Sequence, residues 1–369
     1  MVDVSERIAE LKRERNAIIL AHNYCLPEVQ DIADKVGDSL GLSIAASETD
    51  ADVIVFCGVS FMAETAKILN PGKTVLIPDP DAVCSMAQMC TPEQIREARA
   101  RNPGCEVVGY VNSTAACKAE MDVCCTSSNA VKVVSGLSSD KVLFVPDRNL
   151  GSYAASKNPS KDIELWHGFC PIHQSISVGQ VEALRREHPD AEVLAHPECR
   201  APVLAMADFI GSTEGMIGHC RQSESGEFIV LTEVGMRHRL EREVPGREWW
   251  FPESAVCGAM KMATPEGVLE CLEKMGPAVE LPDEVIAGAR RPVERMVAGR
   301  RSRVHQVLHR VLRDEVLQLA VVDVDGLERH LDQVGDGLVR GDLVEEALDD
   351  LEVDLVLVVR HVEPAVVDG

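Results

Sequence analysis

The chain has 369 residues, of which 46% are hydrophobic, so two or three domains with sizeable apolar cores are expected. Its formal net charge of −23 argues against a nucleic-acid partner or an anionic membrane surface. The polar, amphipathic start MVDVSERIAELKRERN does not resemble a signal peptide, and no apolar run approaches the roughly 20 residues that a membrane-spanning helix needs.

The first part of the chain alternates between strand patterns and helix patterns. Continuous apolar runs of strand length are typical of parallel strands that are buried on both faces. After the first run, Pro27 begins a helical pattern that Gly37 interrupts just before Ser39. The runs themselves are NAIILAH, which ends at His22, DVIVFCG, and KTVLIPD, which leads to Cys84.

The same order of elements recurs twice more along the chain. Strands that alternate with helices predict right-handed βαβ units and one parallel sheet in each copy. In such sheets, ligands bind beyond the carboxyl ends of the strands. The later strand patterns are EVVGYVN, KVLFVPD and DIELW in the second copy, and AEVLAHPE and EFIVLTE in the third.

Three of the thirteen cysteines repeat with the same period as these elements. Cys84, Cys170 and Cys257 lie 86 and 87 residues apart, which indicates one αβ unit used three times, with one thiolate from each copy. An odd number of cysteines, two of them adjacent, favours a reducing cytoplasm and metal or redox chemistry over a disulfide framework. Any one cysteine is explained as a small buried hydrophobe, whereas three in register favour metal ligands.

Two further sets of polar residues keep this period. A residue with a hydroxyl group precedes each of the three cysteines, by 45, 43 and 44 residues. These hydroxyl residues lie near predicted helix starts, and helix N-termini bind carboxylates or phosphates. At the strand ends, i, i+2 pairs predict two side chains on one face of a strand and supply acid and base groups. Ordinary helix capping and structural histidines are the alternative interpretations. The hydroxyl set is Ser39, Ser127 and Thr213, and the pairs are His22 with Tyr24, Tyr110 with Asn112, and His196 with Glu198.

The three cysteines leave the kind of metal centre open between zinc and iron. Structural zinc commonly takes four ligands, often in C-x-x-C pairs, and no such pair occurs at these three positions. An iron–sulfur cluster usually takes four cysteine ligands. Three ligands on a four-iron cluster would leave one iron open, and an open iron is a Lewis acid that can hold substrate oxygens.

Seven sequence motifs fall in one order along the chain. They are AHNY at 21–24, YVNS at 110–113, CCTSSNAV at 124–131, AHPEC at 195–199, GST at 211–213, TEVGMRHRL at 232–240 and CGAMK at 257–261. Together these motifs resemble the quinolinate synthase family, and the resemblance covers approximately residues 5–300.

The resemblance implies an α/β fold of three homologous αβα sandwich domains with parallel sheets around a pseudo-threefold axis. The cluster and the active site are expected at the interface that the three domains share. The expected domains are residues 1–86, 87–172 and 173–300, each with one of the three cysteines, and the third includes closing helices.

The resemblance also implies an activity and a set of partners. The expected enzyme is a transferase that condenses iminoaspartate with dihydroxyacetone phosphate to quinolinate, with loss of phosphate and water, in the de novo synthesis of NAD. A cytoplasmic location and a functional link to L-aspartate oxidase are expected, without a nucleic-acid or membrane partner.

The same resemblance assigns roles to individual residues. One [4Fe–4S] cluster per chain, with one open iron, is expected on Cys84, Cys170 and Cys257. The expected substrate-binding residues are His22, Ser39, Tyr110, Asn112, Ser127, His196, Glu198 and Thr213. The candidates for proton transfer are Tyr24, His196 and Glu198.

Three other classes of protein remain open at this point. An aconitase-like hydro-lyase would use the same open iron without a condensation. A diphthamide-type radical iron–sulfur enzyme also gathers three cysteines from three domains. A non-catalytic zinc or redox-sensing module is the third alternative. Metal analysis of anaerobically purified protein separates them, because about four iron and four sulfide favour the enzymes and zinc favours the module.

Residues 301–369 differ in composition from the rest of the chain. They contain no Lys, Asn, Thr, Ile, Met, Cys or aromatic residue and are dominated by Val, Leu, Asp and Arg. The repeat is complete at Cys257, so this atypical C-terminal extension is expected to lie outside the catalytic fold. A small added αβ element around LEVDLVLVVRHVE and a frame artefact of a GC-rich gene are the competing interpretations.

Truncation after Arg301 tests this expectation. We expect the truncated protein to keep the iron content, melting temperature and turnover of the full chain, because the extension supplies no ligand and no substrate contact. Loss of the iron or unfolding on truncation would show instead that the extension packs on the catalytic core.

Overall fold

The structure of this chain is a computed structural model that describes residues 4–298. Within this range, the strands form three separate four-stranded parallel sheets, and the order of the strands is the same in each sheet. The first strand in sequence lies between the second and the third, and the fourth flanks the third. This arrangement confirms the predicted α/β fold with three parallel sheets.

Short strands make up each sheet. The first sheet contains β1 (Ala17–His22), β2 (Lys35–Gly37), β3 (Val53–Cys57) and β4 (Thr74–Leu76). The second sheet contains β5 (Glu106–Tyr110), β6 (Val123–Cys125), β7 (Lys141–Val145) and β8 (Asp162–Leu165). The third sheet contains β9 (Glu192–Ala195), β10 (Phe209–Ile210), β11 (Glu227–Leu231) and β12 (Glu248–Trp250).

Helices connect the strands and cover the sheets. In the first third of the chain they are α1 (Val4–Arg15), α2 (Pro27–Ile32), α3 (Ser39–Glu48) and α4 (Ser60–Leu69). The second group is α5 (Pro92–Arg101), α6 (Ala115–Lys118), α7 (Ala130–Ser135), α8 (Arg148–Lys157) and α9 (Pro171–Ser175). The third group is α10 (Val178–Glu187), α11 (Ala201–Leu204), α12 (Thr213–Gln222), α13 (Met236–Glu243) and α14 (Pro265–Lys274), followed by α15 over residues 283–298.

The sequence explains why these elements form. All five residues of β3 are buried, as expected of a continuous apolar strand with helices on both faces of its sheet. The helices α5 and α10 open the second and third copies, and each begins with a capping box in which Thr91 or Ser177 bonds reciprocally with the glutamine three residues later. Local signals therefore start the helices that lead into the second and third sheets.

One arrangement of hydrogen bonds and ion pairs recurs in all three sheets. An aspartate near the start of the second strand bonds the first strand twice. The backbone N–H of the aspartate donates to the carbonyl of one residue in the first strand. The carboxylate of the aspartate accepts the N–H of that first-strand residue, at 2.7, 2.7 and 2.8 Å in the three sheets. A basic side chain of the helix before the first strand of the sheet pairs with each aspartate. The aspartates are Asp34, Asp122 and Asp208, bonded to Ile19, Val107 and Val193 and paired with Lys12, Arg99 and Arg185.

This arrangement, which we call the aspartate clamp, shows that the sequence repeat is also a structural repeat. The three clamps lie 88 and 86 residues apart in the sequence, close to the period of the cysteines. Each clamp fixes the turn that leads into an edge strand by satisfying a backbone N–H group of a central strand.

The edge strand β2 was missed by the sequence analysis. Residues 35–37 pair with residues 20–22 of β1, whereas the sequence predicted a helical stretch interrupted at Gly37. A strand of three residues is too short to show a periodicity of its own. Its pairing depends on the neighbouring strand, so only the tertiary structure defines it.

The closing helices return to the first two sheets. Leu272 of α14 belongs to the same apolar cluster as Leu11 of α1. In α15, the carbonyl of Met296 accepts a hydrogen bond from Asn129, and Arg295 donates to the carbonyl of Asp122, so this helix lies on the second copy. The domain boundaries at residues 86, 172 and 300 stay predictions.

The predictions for residues 301–369 concern a part of the chain that lies outside the described residues. Among residues 4–298, no helix has the length and apolar character required to cross a lipid bilayer.

The aspartate clamp predicts a defined loss of stability. In Asp122→Ala or Asp208→Ala, the N–H of Val107 or Val193 loses its side-chain acceptor inside the sheet. We expect the free energy of unfolding to fall by about 1–3 kcal/mol, measured by urea denaturation. Because the clamps lie away from the carboxyl ends of the strands, metal content per folded chain should not change. An unchanged denaturation midpoint in both variants would contradict this account.

Candidate functional site

The carboxyl ends of all three sheets face one cavity of about 190 Å³. Every site residue predicted from the sequence lines this cavity, although their chemical roles stay predictions. They are Cys84, Cys170 and Cys257 among the thiols, Ser39, Ser127 and Thr213 among the hydroxyls, and His22, Tyr24, Tyr110, Asn112, His196 and Glu198 at the strand ends.

The three cysteines occupy equivalent loops, each beyond the fourth strand of its sheet. Cys84 and Cys257 each precede a single 3₁₀ turn, and Cys170 is the N-cap residue of α9. All three are partly exposed and free of disulfide bonds, whereas the other ten cysteines are buried. The three thiols that share the cavity are thus the accessible ones.

One of the three predicted cysteines also belongs to a compact group of possible metal ligands. Within residues 4–298, the one group of three His, Cys, Asp or Glu ligand atoms that lie within 4.8 Å of one another is Cys170, His173 and Glu198. Thiolate, imidazole and carboxylate groups all bind zinc, so this group is suited to a single ion. A cluster on the three cysteines would use Cys170 and not the other two members of the group.

The three thiols keep their protons near pH 7 unless a cation binds to them. Burial raises the pKa of Cys84 to about 12, and it raises the pKa of Cys170 well above the usual range for a thiol. Burial also raises the pKa of Cys257. A metal that binds here would have to displace the three protons, as metal binding to thiols does.

The strand-end pairs lie in turns, and not on one face of a strand as predicted. Strand β1 ends at His22 and β9 ends one residue before His196, so the backbone has left the sheet at Tyr24 and at Glu198. In both turns the imidazole Nδ1 accepts the backbone N–H two residues later, at 3.2 and 3.4 Å. The neutral imidazoles therefore carry their proton on Nε2.

Two of the three predicted hydroxyls lie at helix N-termini. Ser39 is the first residue of α3, where Asp38 is the N-cap, and Thr213 is the first residue of α12, where Ser212 is the N-cap. Ser127 lies in a turn three residues before α7 begins. The positive ends of α3 and α12 and their free N–H groups favour an anion in the cavity.

The buried carboxylate of Glu198, in the turn after β9, binds two side chains of the second copy. Oε2 of Glu198 lies 2.9 Å from Nδ1 of His173, and Oε1 accepts a hydrogen bond from the hydroxyl of Tyr110. The predicted partner, His196, is farther away, with Nδ1 at 3.8 Å from Oε1. The imidazoles of His173 and His196 stack with their centroids 4.5 Å apart. His173 is thus the imidazole that Glu198 orients.

A chain of short contacts leads from Glu198 to Tyr24. Nε2 of His173 lies 2.9 Å from the hydroxyl of Thr232, and that hydroxyl lies 2.6 Å from the hydroxyl of Tyr24. If His173 donates its Nδ1 proton to Glu198, its Nε2 accepts from Thr232, which in turn accepts from Tyr24. We call this series the Tyr24–Glu198 relay.

Burial sets the protonation states around this relay. It lowers the pKa of both His22 and His196 to about 3, so both imidazoles are neutral near pH 7. It raises the pKa of Tyr24 and Tyr110 well above that of an exposed tyrosine.

Glu198 behaves differently from the other buried groups. Burial acts to raise the pKa of Glu198, but its interactions with His173 and His196 and the hydrogen bond from Tyr110 hold that pKa below the usual range. Since His196 is neutral near pH 7, we attribute the effect mainly to His173 and Tyr110. The cavity therefore contains an ionised carboxylate beside neutral acids and bases.

The sequence analysis missed several residues of the cavity. His173 lies three residues after Cys170, and this short spacing on α9 is the signal that could have identified it. Glu233, which is 1% exposed, follows β11 and lines the cavity. Apolar side chains that include Phe61 and Met260 complete the wall, and no sequence period distinguished them from core residues.

One polar atom in the cavity lacks a partner. Oδ1 of Asn112 is buried and accepts no hydrogen bond from the part of the chain that the structure describes. A buried acceptor without a donor is costly, so this atom is suited to receive an N–H or O–H group of a bound molecule.

Comparison with known proteins identifies relatives of this chain. A family model described as "Quinolinate synthetase A protein" matches residues 6–298. The chain is 51% identical over 297 residues to the quinolinate synthase of Methanoregula boonei, across 80% of this chain and 98% of the relative. It is 50% identical over 296 residues to that of Geobacter metallireducens, across 80% and 97%. For the quinolinate synthase of Aquifex aeolicus the identity is 46% over 301 residues, across 80% and 94%.

Proposed function

The chain belongs to the quinolinate synthetase A family, and from this premise we propose that it forms quinolinate in the cavity where its three sheets meet. The observation that carries the proposal is the convergence of three partly exposed thiols, one from each sheet copy, on the cavity that also contains Glu198. Formation of quinolinate serves the synthesis of NAD.

The proposed reaction is a transferase reaction between two small molecules. Iminoaspartate condenses with dihydroxyacetone phosphate, and phosphate and water are lost. The steps require enolisation of a carbonyl, departure of phosphate, formation of an imine and dehydration, so several protons move. Neutral histidines and protonated tyrosines beside an ionised carboxylate suit such transfers.

The proposed cofactor is one [4Fe–4S] cluster on Cys84, Cys170 and Cys257. The convergence of three partly exposed thiols on one cavity supports it, because cysteine thiolates hold iron–sulfur clusters. When bound by three cysteines, such a cluster has an iron without a protein ligand, which supplies Lewis acidity toward a substrate oxygen. Nδ1 of His173 lies 3.3 Å from the sulfur of Cys170, so the relay begins beside a proposed ligand.

The proposed proton transfers run through the Tyr24–Glu198 relay. Tyr24 donates to Thr232 and Thr232 donates to Nε2 of His173, so the relay moves protons toward His173. The oxygen of Tyr24 takes a proton from the substrate as its own proton passes to Thr232, and the proton of Thr232 passes to Nε2. Glu198 then stabilises the imidazolium of His173. His196, neutral and with its proton on Nε2, is a second group that can exchange a proton with substrate. Proton transfers of this kind contribute about 10²–10⁴-fold to a rate.

The proposed substrate contacts follow from charge and from the unpaired acceptor. The N-termini of α3 and α12, with Ser39 and Thr213, bind carboxylate or phosphate groups. Ser127 adds a hydroxyl donor, and Oδ1 of Asn112 accepts a donor of the substrate. His22 and Tyr110 complete the set of proposed substrate-binding residues.

The proposed setting is cytoplasmic, as the free cysteines favour a reducing compartment. Iminoaspartate is the product expected from oxidation of aspartate, so a functional link to L-aspartate oxidase is part of the proposal. Membership of the family favours quinolinate synthesis over the hydro-lyase and the radical enzyme. It also favours an enzyme over the non-catalytic zinc module.

The first test of the proposal replaces the cysteines. Cys84→Ala, Cys170→Ala and Cys257→Ala should each abolish the visible absorption of the cluster and quinolinate formation together, because each removes one of three ligands. Cys105→Ala and Cys271→Ala, which remove thiols outside the cavity, are the matched controls and should retain both. Iron, sulfide and turnover are measured on anaerobically purified protein. A Cys170→Ala protein with full iron content and full turnover would refute the ligand assignment.

The second test breaks the relay at two links. Glu198→Gln and Thr232→Val should preserve the iron content and lower kcat by about 10²–10⁴-fold. The first removes the negative charge beside His173, and the second removes the hydroxyl between His173 and Tyr24. Thr232→Ser retains the hydroxyl and should stay within about threefold of the parent enzyme. Equal activity of the Val and Ser variants would remove the relay from the mechanism.

A further inference from the structure

We propose that Asp147 and Glu233 are positioning residues that hold the cysteine loops of the second and third sheets in place. This inference deepens the proposed function and rests on it in one respect, namely that Cys170 and Cys257 are ligands. The placement of the two loops is argued from hydrogen bonds that involve only the protein.

One backbone bond ties the cysteine loop to its sheet in all three copies. In each copy, a backbone N–H group shortly after the third strand donates to the carbonyl two residues before the cysteine, at 2.8, 2.8 and 2.9 Å. The donors are Ser60, Arg148 and Val234, and the acceptors are Ala82, Gly168 and Ala255. Each loop thus has the same first anchor.

A carboxylate provides a second anchor in two of the copies. Asp147 lies two residues after β7, and Glu233 lies two residues after β11. Oδ2 of Asp147 accepts the backbone N–H of Cys170 at 3.1 Å, and Oε1 of Glu233 accepts that of Cys257 at 2.9 Å. The two carboxylates therefore occupy equivalent positions and bind the equivalent amide.

The other oxygen of each carboxylate is also occupied. Oδ1 of Asp147 accepts the N–H of Asn149 at 2.7 Å, and Oε2 of Glu233 accepts that of Gly235 at 2.7 Å, in each case two residues along the chain. Asp147 and Glu233 are 0% and 1% exposed. Because both oxygens face N–H groups in a buried place, each carboxylate holds the cysteine amide in a fixed position relative to the end of its strand.

The loop of Cys257 has a further connection. Nζ of Lys261, on the 3₁₀ turn after Cys257, lies 3.0 Å from Oε2 of Glu233 and also donates to the carbonyl of Tyr24. Glu233 therefore binds this loop at the cysteine and again four residues after it. The same lysine links the loop to the first copy, next to the relay.

The first copy differs from the other two. Its equivalent position, two residues after β3, is Val59, an apolar residue that lines the cavity. A third carboxylate here would add another negative charge near the three thiols and Glu198, and like charges in a buried site oppose one another. The structure thus places carboxylate anchors at two loops and an apolar residue at the third.

Isosteric amides test the two anchors separately. In Asp147→Asn and Glu233→Gln, an NH₂ group replaces one carboxylate oxygen. Oδ1 of Asp147 accepts from both Asn149 and Leu150, and Oε2 of Glu233 accepts from both Gly235 and Lys261. The amide oxygen is therefore expected at these doubly bonded sites, and the NH₂ group then faces the N–H of the cysteine, which loses its acceptor. Amide hydrogen exchange is measured on the metal-free, anaerobic full-length protein. Exchange at residues 168–173 in the first variant and 255–260 in the second should accelerate by about ten- to a hundredfold.

Matched controls separate positioning from general destabilisation. Asp122→Ala and Asp208→Ala remove carboxylates from the opposite edges of the same two sheets, so they should lower stability without accelerating exchange at the cysteine loops. After reconstitution with ferrous iron and sulfide, iron loss to a chelator should accelerate about tenfold or more in the anchor variants and not in the controls.

Each result decides the inference. Unchanged loop exchange in both anchor variants, or equal acceleration in the controls, overturns it. Accelerated exchange confined to the loops supports it. If the parent protein takes up no iron while the loops respond as expected, the proposed function fails and the positioning role stands. The two variants are independent, so failure of one to fold leaves the test to the other.

Discussion

The buried carboxylate of Glu198 places the strongest constraint on this molecule. It is 3% exposed, and an ionised group in such a place is stable only with close partners. Its partners come from separate parts of the chain, namely Tyr110 at the end of β5 and His173 in α9. The second sheet and the turn after β9 must therefore meet at one point, and the cavity forms around that point.

A second polar network joins the first and third copies. Asn23, between His22 and Tyr24, donates to the hydroxyl of Thr213 at 2.7 Å, and Arg239 donates to Oδ1 of Asn23 at 2.6 Å. Arg239 also forms an ion pair with Glu214. Because Asn23 is fully buried, its amide is fixed in one orientation by these partners. The closure of the cavity thus depends on polar contacts between copies, in addition to apolar packing.

The three copies agree at the amino-terminal ends of their first strands, and they differ in the side chains at the carboxyl ends. At the amino-terminal part of each first strand, the aspartate clamp is the same in chemistry and geometry. At the carboxyl ends, the position three residues after the clamped residue holds His22, Tyr110 and His196. This division has a physical reason: the clamp serves folding, which is common to all copies, while the carboxyl ends face one asymmetric reaction and must supply different groups.

The sequence alone determined the repeated αβ unit and the parallel sheets, and it selected twelve residues that all line the cavity, because burial patterns and a constant period are local or regular properties. The chemical roles of these twelve residues stay predictions. The sequence placed Cys84, Cys170 and Cys257 in register without any contact between them being known. The three-residue strand β2, the turns at Tyr24 and Glu198, and the choice of His173 as the partner of Glu198 were decided only by the tertiary structure. Each of these depends on which distant side chain or strand is within about 3 Å, the reach of a hydrogen bond, and no pattern within one segment of sequence encodes that distance.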